Sequence, residues 1–255
     1  MDLVQALGLL VAAFIAGAIN AVAGGGSLVS FPALVAVGYS SKTANVTNSV
    51  ALWPGYVSGS YGYRGELRRQ RARIMALAMP SVLGALAGSG LLLSTPTNAF
   101  DVIVPFLILF ACVLMLVQER MAKFALAHRL SSESDDHVPW TLLAAIFALA
   151  VYGAYFGAGL GIMTLAVLGI LLPDDIQHSN ALKGLLSALI NAVAVVYFAV
   201  WGPVRWAPAL VMAIGALGGG YLGVGVARRL GRGPLRAAVV SYGVIVAGVM
   251  LYRLG

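Results

Sequence analysis

AGAINAVAGGGSLVSFPALVAVGYSSKTANVTNS, residues 16–49, decides the fold, because it places a glycine cluster and a dense polar run among apolar segments. A degenerate copy, GAYFGAGLGIMTLAVLGILLPDDIQHSNALKGLLS, occupies residues 153–187. Each copy joins glycines, a short apolar segment and a polar segment that opens a helix. The chain therefore contains the same sequence pattern twice, and we expect a small polar ligand to bind there.

The composition places this pattern in the lipid bilayer. The chain has 255 residues, of which 60% are hydrophobic and 10% charged, whereas an average soluble domain has roughly 25% charged residues. Its apolar runs approach the roughly 20 residues needed to cross the hydrocarbon. The 16 Lys and Arg, against 9 Asp and Glu, lie between these runs. They therefore indicate loop charge that sets orientation, and not nucleic-acid binding.

Ten apolar runs predict an all-α polytopic membrane protein. They cover residues 3–23, 28–37, 46–63, 74–93, 99–117, 138–156, 162–172, 182–200, 207–227 and 237–254. A first repeat, residues 1–118, and a second, residues 138–255, flank a linker at residues 119–137. Matching positions are Gly17 with Gly153, Gly25 with Gly161 and Asn45 with Asn180. An internal duplication explains this match better than chance similarity does.

Arginine-rich loops predict the orientation. Residues 64–73 hold five Arg and residues 228–236 hold four, whereas residues 94–99 hold none. Positively charged loops stay in the cytoplasm, so the first two loops and the linker are expected there, and residues 94–99 outside. Counting the runs from these loops places residues 38–44 and the loop after residue 200 outside, and residues 173–180 in the cytoplasm.

Following the runs between these loops predicts two helical hairpins. Residues 138–172 must start and finish on one side, turning at residues 157–161, and the first repeat should turn likewise at residues 24–26. Each repeat is then a Gly-tipped hairpin plus three transmembrane helices, 8–10 membrane segments in all. The two repeats are inverted, and both termini are external. Whether the short second arms span the membrane or re-enter is left open.

Inverted repeats with interrupted helices are how many secondary transporters build a site near the membrane midplane. Glycines at the hairpin tips leave backbone N–H groups accessible to an anion. The predicted substrate-binding residues are Gly24, Gly25, Gly26, Ser27, Asn45, Asn48, Asn180, Lys183, Gly159 and Gly161.

Lys183 is the most informative of these residues. A Lys one turn into an apolar helix is costly in lipid and usually faces a partner or a water-filled cavity. The alternative is that it snorkels to the cytoplasmic surface. Its counterpart in the first repeat is the neutral Asn48, so the paired site would carry one positive charge, which suits a small anion. The asparagines have their own alternative, interhelical hydrogen bonds that only hold the bundle together.

Other classes of function find little support in the residues. Without a His, Cys or carboxylate cluster at ligand spacing we expect no metal and no cofactor. We expect no enzyme, because no paired carboxylates or nucleophile–base arrangement lies within the spans. The predicted partners are a small anionic substrate and the lipid bilayer, without nucleic acid. A coupling ion, H+ or Na+, and a homodimer stay open.

The sequence resembles the sulfite exporter TauE/SafE family of bacterial membrane transporters over nearly the whole chain. The resemblance rests on AGAINAVAGGGSLVSFPAL, on TANVTNSVALWPGYVSGSYGYRGEL, and on GAGLGIMTLAVLGILL with NALKGLLSALINAVAVVYF and WGPVRW. It implies an ATP-independent carrier that exports sulfite or a related organosulfonate across the inner membrane. One departure is Asn45-Val46-Thr47-Asn48, where many relatives show a Gly-Thr-Ser run. An anion channel, a carrier for another small anion, or a non-transporting assembly protein are the alternatives.

Overall fold

The structure, a computed structural model, describes residues 1–22, 24–61, 63–129, 138–172, 176–230 and 232–252, with backbone only at residues 22, 122–129, 176, 223–230 and 232–235. Within these ranges there are eleven helices and no strand. They are α1 (Leu3–Val22), α2 (Ser27–Ala36), α3 (Ser41–Tyr61), α4 (Arg64–Arg68), α5 (Arg71–Ser94), α6 (Thr97–Arg129), α7 (Trp140–Tyr155), α8 (Leu160–Leu171), α9 (Ile176–Trp201), α10 (Trp206–Leu230) and α11 (Arg232–Tyr252). The predicted all-α fold class is confirmed.

Each of the ten apolar runs coincides with one of these helices, and only the short, arginine-rich α4 was not expected. Helix α6 continues to Arg129, so the first part of the predicted linker is helical. The rest of the linker, residues 130–137, lies outside the described residues, as do residues 173–175 of the predicted cytoplasmic loop. Most arginine side chains of the loop at residues 228–236 also lie outside the description.

Four helices of the described chain are both long enough and apolar enough to span a membrane: Leu3–Ala21, Arg71–Ser94, Thr97–Met121 and Gln177–Trp201. The second hairpin arms are too short for this. Helix α2 has 10 residues and α8 has 12, which gives about 15 Å and 18 Å against roughly 30 Å of hydrocarbon. Exposed Trp140, Trp201 and Trp206 lie at helix ends, where aromatic side chains commonly meet the membrane interface.

Two helix pairs pack through glycines in the same way. In the pair α1 and α10, a Cβ on Gly215 would meet the Leu10 carbonyl, and one on Gly219 would meet the Phe14 carbonyl. In the pair α7 and α5, a Cβ on Gly84 would meet the Phe147 carbonyl, and one on Gly88 the Val151 carbonyl. Small residues let helix backbones approach closely in membranes. Both pairs are parallel, because the contact numbers rise together, and in each pair two glycines four residues apart meet two carbonyls four residues apart.

Helices α3 and α9 pack against each other in opposite directions. Trp53 Nε1 donates to the Ala188 carbonyl at 3.1 Å. Ser60 lies beside Gly184, and Tyr63 beside Asn180. Residue numbers therefore rise along α3 as they fall along α9. On either side, α10 packs on α3 and α5 packs on α9, while α6 and α11 contact each other and the hairpin arms α8 and α2.

Candidate functional site

The first hairpin turns where the glycine cluster predicts. Helix α1 ends at Val22 and α2 begins at Ser27. Gly24 and Gly25 between them have φ values of 81° and 92°, in the left-handed region that a side chain disfavours. The Gly26 N–H donates to Asn20 Oδ1 at 2.7 Å and so closes the turn.

The second hairpin turns between Tyr155, the last residue of α7, and Leu160, the first of α8. Gly157 and Gly159 again have positive φ, 77° and 82°. The Tyr152 hydroxyl donates to the Ala158 carbonyl at 2.6 Å, which ties the turn to its own helix. Both predicted turns are therefore present, each built from left-handed glycines and one polar side chain.

The two hairpin tips touch each other. A Cβ on Gly24 would lie 3.3 Å from Gly161 Cα, and a Cβ on Gly161 would lie 3.5 Å from Gly24 Cα. A Cβ at either position would fill this contact, so the repeated glycines bring the two tips close together.

Beside this contact lies a cavity of about 30 Å³, enough for about two water molecules. Both hairpins and the helices α3 and α9 contribute to its wall. The lining residues are Asn20, Ala21, Gly24, Gly55, Tyr56, Gly59, Ser60, Tyr63, Gly161, Asn180, Lys183, Gly184 and Ser187. Four of the predicted site residues, Gly24, Gly161, Asn180 and Lys183, are thus brought together.

Lys183 is the single charged residue among the described residues that line this cavity. Its side chain is only 6% exposed. Its methylene carbons lie beside Gly161, since a Cβ there would be 3.7 Å from Lys183 Cδ. The ammonium stem therefore runs along the tip of the second hairpin, and the cavity has a cationic wall.

The polar groups that α3 and the residues just after it add to the wall were not predicted. Tyr56, Ser60 and Tyr63 line the cavity, and Asn180 Nδ2 donates to the Tyr63 hydroxyl at 3.5 Å. The signal in the sequence is a stripe of hydroxyl residues at three- and four-residue steps, next to Gly55 and Gly59. On α9, Ser187 extends the Asn180–Lys183 stripe into the same cavity.

Four predicted residues lie at the tips without lining the cavity. Gly25 faces Met115 and Gly159 faces Leu114, both on α6. Gly26 packs against the backbone of Ala16. Ser27, the first residue of α2, lies near Tyr56 of the cavity wall.

Asn45 and Asn48 lie at the opposite end of α3 from the cavity. Gly55, the first residue of α3 in the cavity wall, is 7 residues further along α3 than Asn48, or roughly 10 Å of helix. Asn45 Nδ2 instead donates to the Tyr155 carbonyl at 2.8 Å. The structure does not bring this asparagine pair to Lys183, because α3 and α9 run in opposite directions.

Apolar helices that enclose a polar, cationic cavity between two interrupted helices define a multi-pass membrane transport protein. The sulfite exporter TauE/SafE family matches residues 9–250, and the chain belongs to this family. The predicted resemblance is confirmed. No solved structure matches the chain.

Named relatives are similar over nearly their full length. A "Probable membrane transporter protein" of Haemophilus influenzae is 28% identical over 246 residues, which cover 95% of this chain and 92% of the relative. "Probable membrane transporter protein YfcA" of Escherichia coli is 25% identical over 94% of this chain and 87% of the relative. "Probable membrane transporter protein ORF9" of a Sinorhizobium species is 28% identical, with 94% and 89% covered. These names point to transport and not to catalysis.

Proposed function

We propose that the protein is an ATP-independent carrier that exports a small sulfur-containing oxyanion, such as sulfite or an organosulfonate, across the inner membrane by alternating access. The cavity beside Lys183 is the observation that carries this proposal. It combines one buried cation with hydroxyl and amide groups from α3 and α9. Such groups donate hydrogen bonds to oxyanions, and in a low-dielectric site these bonds are strengthened.

The packing of the two halves supports inverted repeats. The corresponding helices α3 and α9 are antiparallel, and the glycine contact of α1 with α10 recurs with the same four-residue spacing between α7 and α5. Carriers with this build place their substrate at the repeat interface and move one part against the other. In this proposal the contact between Gly24 and Gly161 closes the substrate route on one side of the cavity. The contact separates when the cavity becomes accessible from that side of the membrane.

Counterflow in proteoliposomes tests the function. Vesicles preloaded with unlabelled sulfite should accumulate labelled sulfite transiently and saturably with the wild-type protein. Lys183→Ala should abolish this uptake. Lys42→Ala is the matched control, because Lys42 Nζ donates to the Leu93 and Thr95 carbonyls, both at 2.7 Å, and does not line the cavity. It should retain transport.

The same assay separates the alternatives. A channel gives a flux that neither saturates nor shows counterflow, so that result would replace the carrier by an anion channel. Counterflow with other small anions but not with sulfite or sulfonates would keep the carrier and change its substrate. Normal transport by Lys183→Ala would remove the cavity from the mechanism.

A further inference from the structure

The end of α3 opposite the cavity carries two buried amide oxygens that the proposed anion site does not use. Asn45 is 1% exposed and Asn48 is 2% exposed. Neither Asn45 Oδ1 nor Asn48 Oδ1 has a hydrogen-bond partner among the described residues. Leaving such groups unsatisfied in the interior costs about 1–3 kcal/mol each, so a ligand that pairs with both oxygens would stabilise this part of the fold.

The hydrogen bond of Asn45 fixes which of its amide atoms is available to a ligand. Asn45 Nδ2 donates to the Tyr155 carbonyl, and because a carbonyl only accepts, the amide nitrogen must face it and Oδ1 must point away. Tyr155 is the last residue of α7, so the negative end of that helix dipole lies beside Asn45. The surroundings therefore offer acceptors, and they suit a cation.

Position and charge narrow the choice of cation. Asn45 and Asn48 are three residues apart on one helix, so their side chains share a face and their oxygens can approach a single ion. Neither ligand carries a charge, whereas divalent cations are held mainly by carboxylates. Lys42, one turn earlier, directs its ammonium to the Leu93 and Thr95 carbonyls and so is engaged elsewhere.

We propose that Asn45 Oδ1 and Asn48 Oδ1, at the C-terminal end of α7, form a binding site for Na+. Helix ends and carbonyl oxygens next to interrupted helices coordinate Na+ in other carriers. Gly55, the first cavity-lining residue of α3, is 7 residues further along the helix than Asn48, or roughly 10 Å, so the cation and the anion occupy different places. The cation site does not depend on which anion the cavity takes.

Thermal stability of the purified protein tests the site without any anionic substrate. NaCl is titrated against choline chloride at constant ionic strength, with KCl as a second arm. Na+ should raise the melting temperature saturably, since a ligand that binds only the folded state stabilises it. K+ and choline should not reproduce this shift. A wild-type protein that responds equally to all three salts overturns the proposal.

Variants locate the effect. Asn48→Ala should raise the Na+ concentration for half-maximal shift by about tenfold or more, because one charge-assisted contact is lost. Asn45→Ala should act in the same direction, and it serves if Asn48→Ala does not fold. Asn191→Ala is the matched control: Asn191 is also buried, but its Nδ2 donates to the Ser187 carbonyl within α9. An unchanged Na+ midpoint in both Asn45→Ala and Asn48→Ala overturns the site.

The two proposals fail separately in this assay. Lys183→Ala should keep the Na+ midpoint and lose the additional shift that sulfite produces in the wild-type protein. A Na+ shift without any anion-dependent shift would remove the anion site and leave the cation site standing. The reverse result would remove the cation site alone.

Discussion

The ammonium of Lys183 stands on a stem that packs beside Gly161, so both its length and its compact shape matter for the cavity. An Arg at this position presents a planar fork that is wider than an ammonium and forms bidentate contacts. We expect Lys183→Arg to retain folding and to transport sulfite with a raised KM and a reduced rate. Initial uptake rates in proteoliposomes across sulfite concentrations measure this. Kinetics identical to wild type would show that only the charge at this position is used.

Gly24 has a backbone requirement that its neighbours in the helices do not have. Its φ is 81°, and a Cβ would lie 3.3 Å from both Gly161 Cα and the Ile162 backbone nitrogen. Gly24→Ala should therefore destabilise the protein by about 1–2 kcal/mol and push the two tips apart. Gly8→Ala makes the same chemical change in α1, where a Cβ meets nothing within 4 Å, and should be neutral or slightly stabilising. Melting temperatures of the two variants, measured side by side, check the difference.

Helix α10 depends on its glycines for its contact with α1. A Cβ on Gly219 would overlap the carbonyl oxygen of Phe14, so Gly219→Val must displace one helix, at a cost of about 1–3 kcal/mol or more. Gly88→Val should have a similar effect, because its Cβ would overlap the Val151 carbonyl in the corresponding α5–α7 pair. Gly248→Val on α11 is the control, since nothing lies within 4 Å of a Cβ there. The yield of monodisperse protein after detergent extraction compares the three variants.

All the helices except α4 were predictable because each contains an apolar run that ends at polar residues, glycine or proline, and the two turns were predictable from their glycines. The cavity was predictable only in part. Lys183 and Asn180 could be assigned to the cavity because polar side chains in an apolar helix are costly unless they face a partner or a cavity. Tyr56 and Ser60 escaped notice, because hydroxyl residues are common in membrane helices and only packing shows which face they present.

The position of Asn48 follows from the directions of the two helices that carry the predicted polar residues. Asn48 corresponds to Lys183 in sequence, and corresponding residues were expected at one site. Helices α3 and α9 are antiparallel, so corresponding residues are carried to opposite ends of the pair. The relative direction of two helices cannot be read from a local stretch of sequence. Here it sets Asn45 and Asn48 apart from Asn180 and Lys183.

At the scale of the whole molecule, side-chain contacts join the predicted loops in two groups. Gln70 Nε2 donates to the His178 carbonyl at 3.1 Å, and Arg236 pairs with Glu119 at 2.8 Å. Each of these contacts joins two segments predicted to be cytoplasmic. Lys42 joins the start of α3 to the loop at residues 94–99, and the Arg205 N–H donates to Thr47 Oγ1 at 3.1 Å. These segments are predicted to be external.

This grouping leads to our prediction for the orientation in the membrane. We expect Arg68 and Arg232 to be cytoplasmic and both termini external, because arginine-rich loops are retained inside. Cysteines introduced singly at Arg68, Arg232, Asp2 and Gly255 report accessibility to an impermeant thiol reagent in intact cells. The background is Cys112→Ala, which removes the single native thiol, a buried one. The positions near the termini should label from outside, and the two arginine positions only after the membrane is opened.

Labelling of Gly255→Cys only after opening, with Asp2→Cys labelled from outside, would place the termini on opposite sides. The second half would then cross the membrane an even number of times, and the inverted repeat would have to be abandoned.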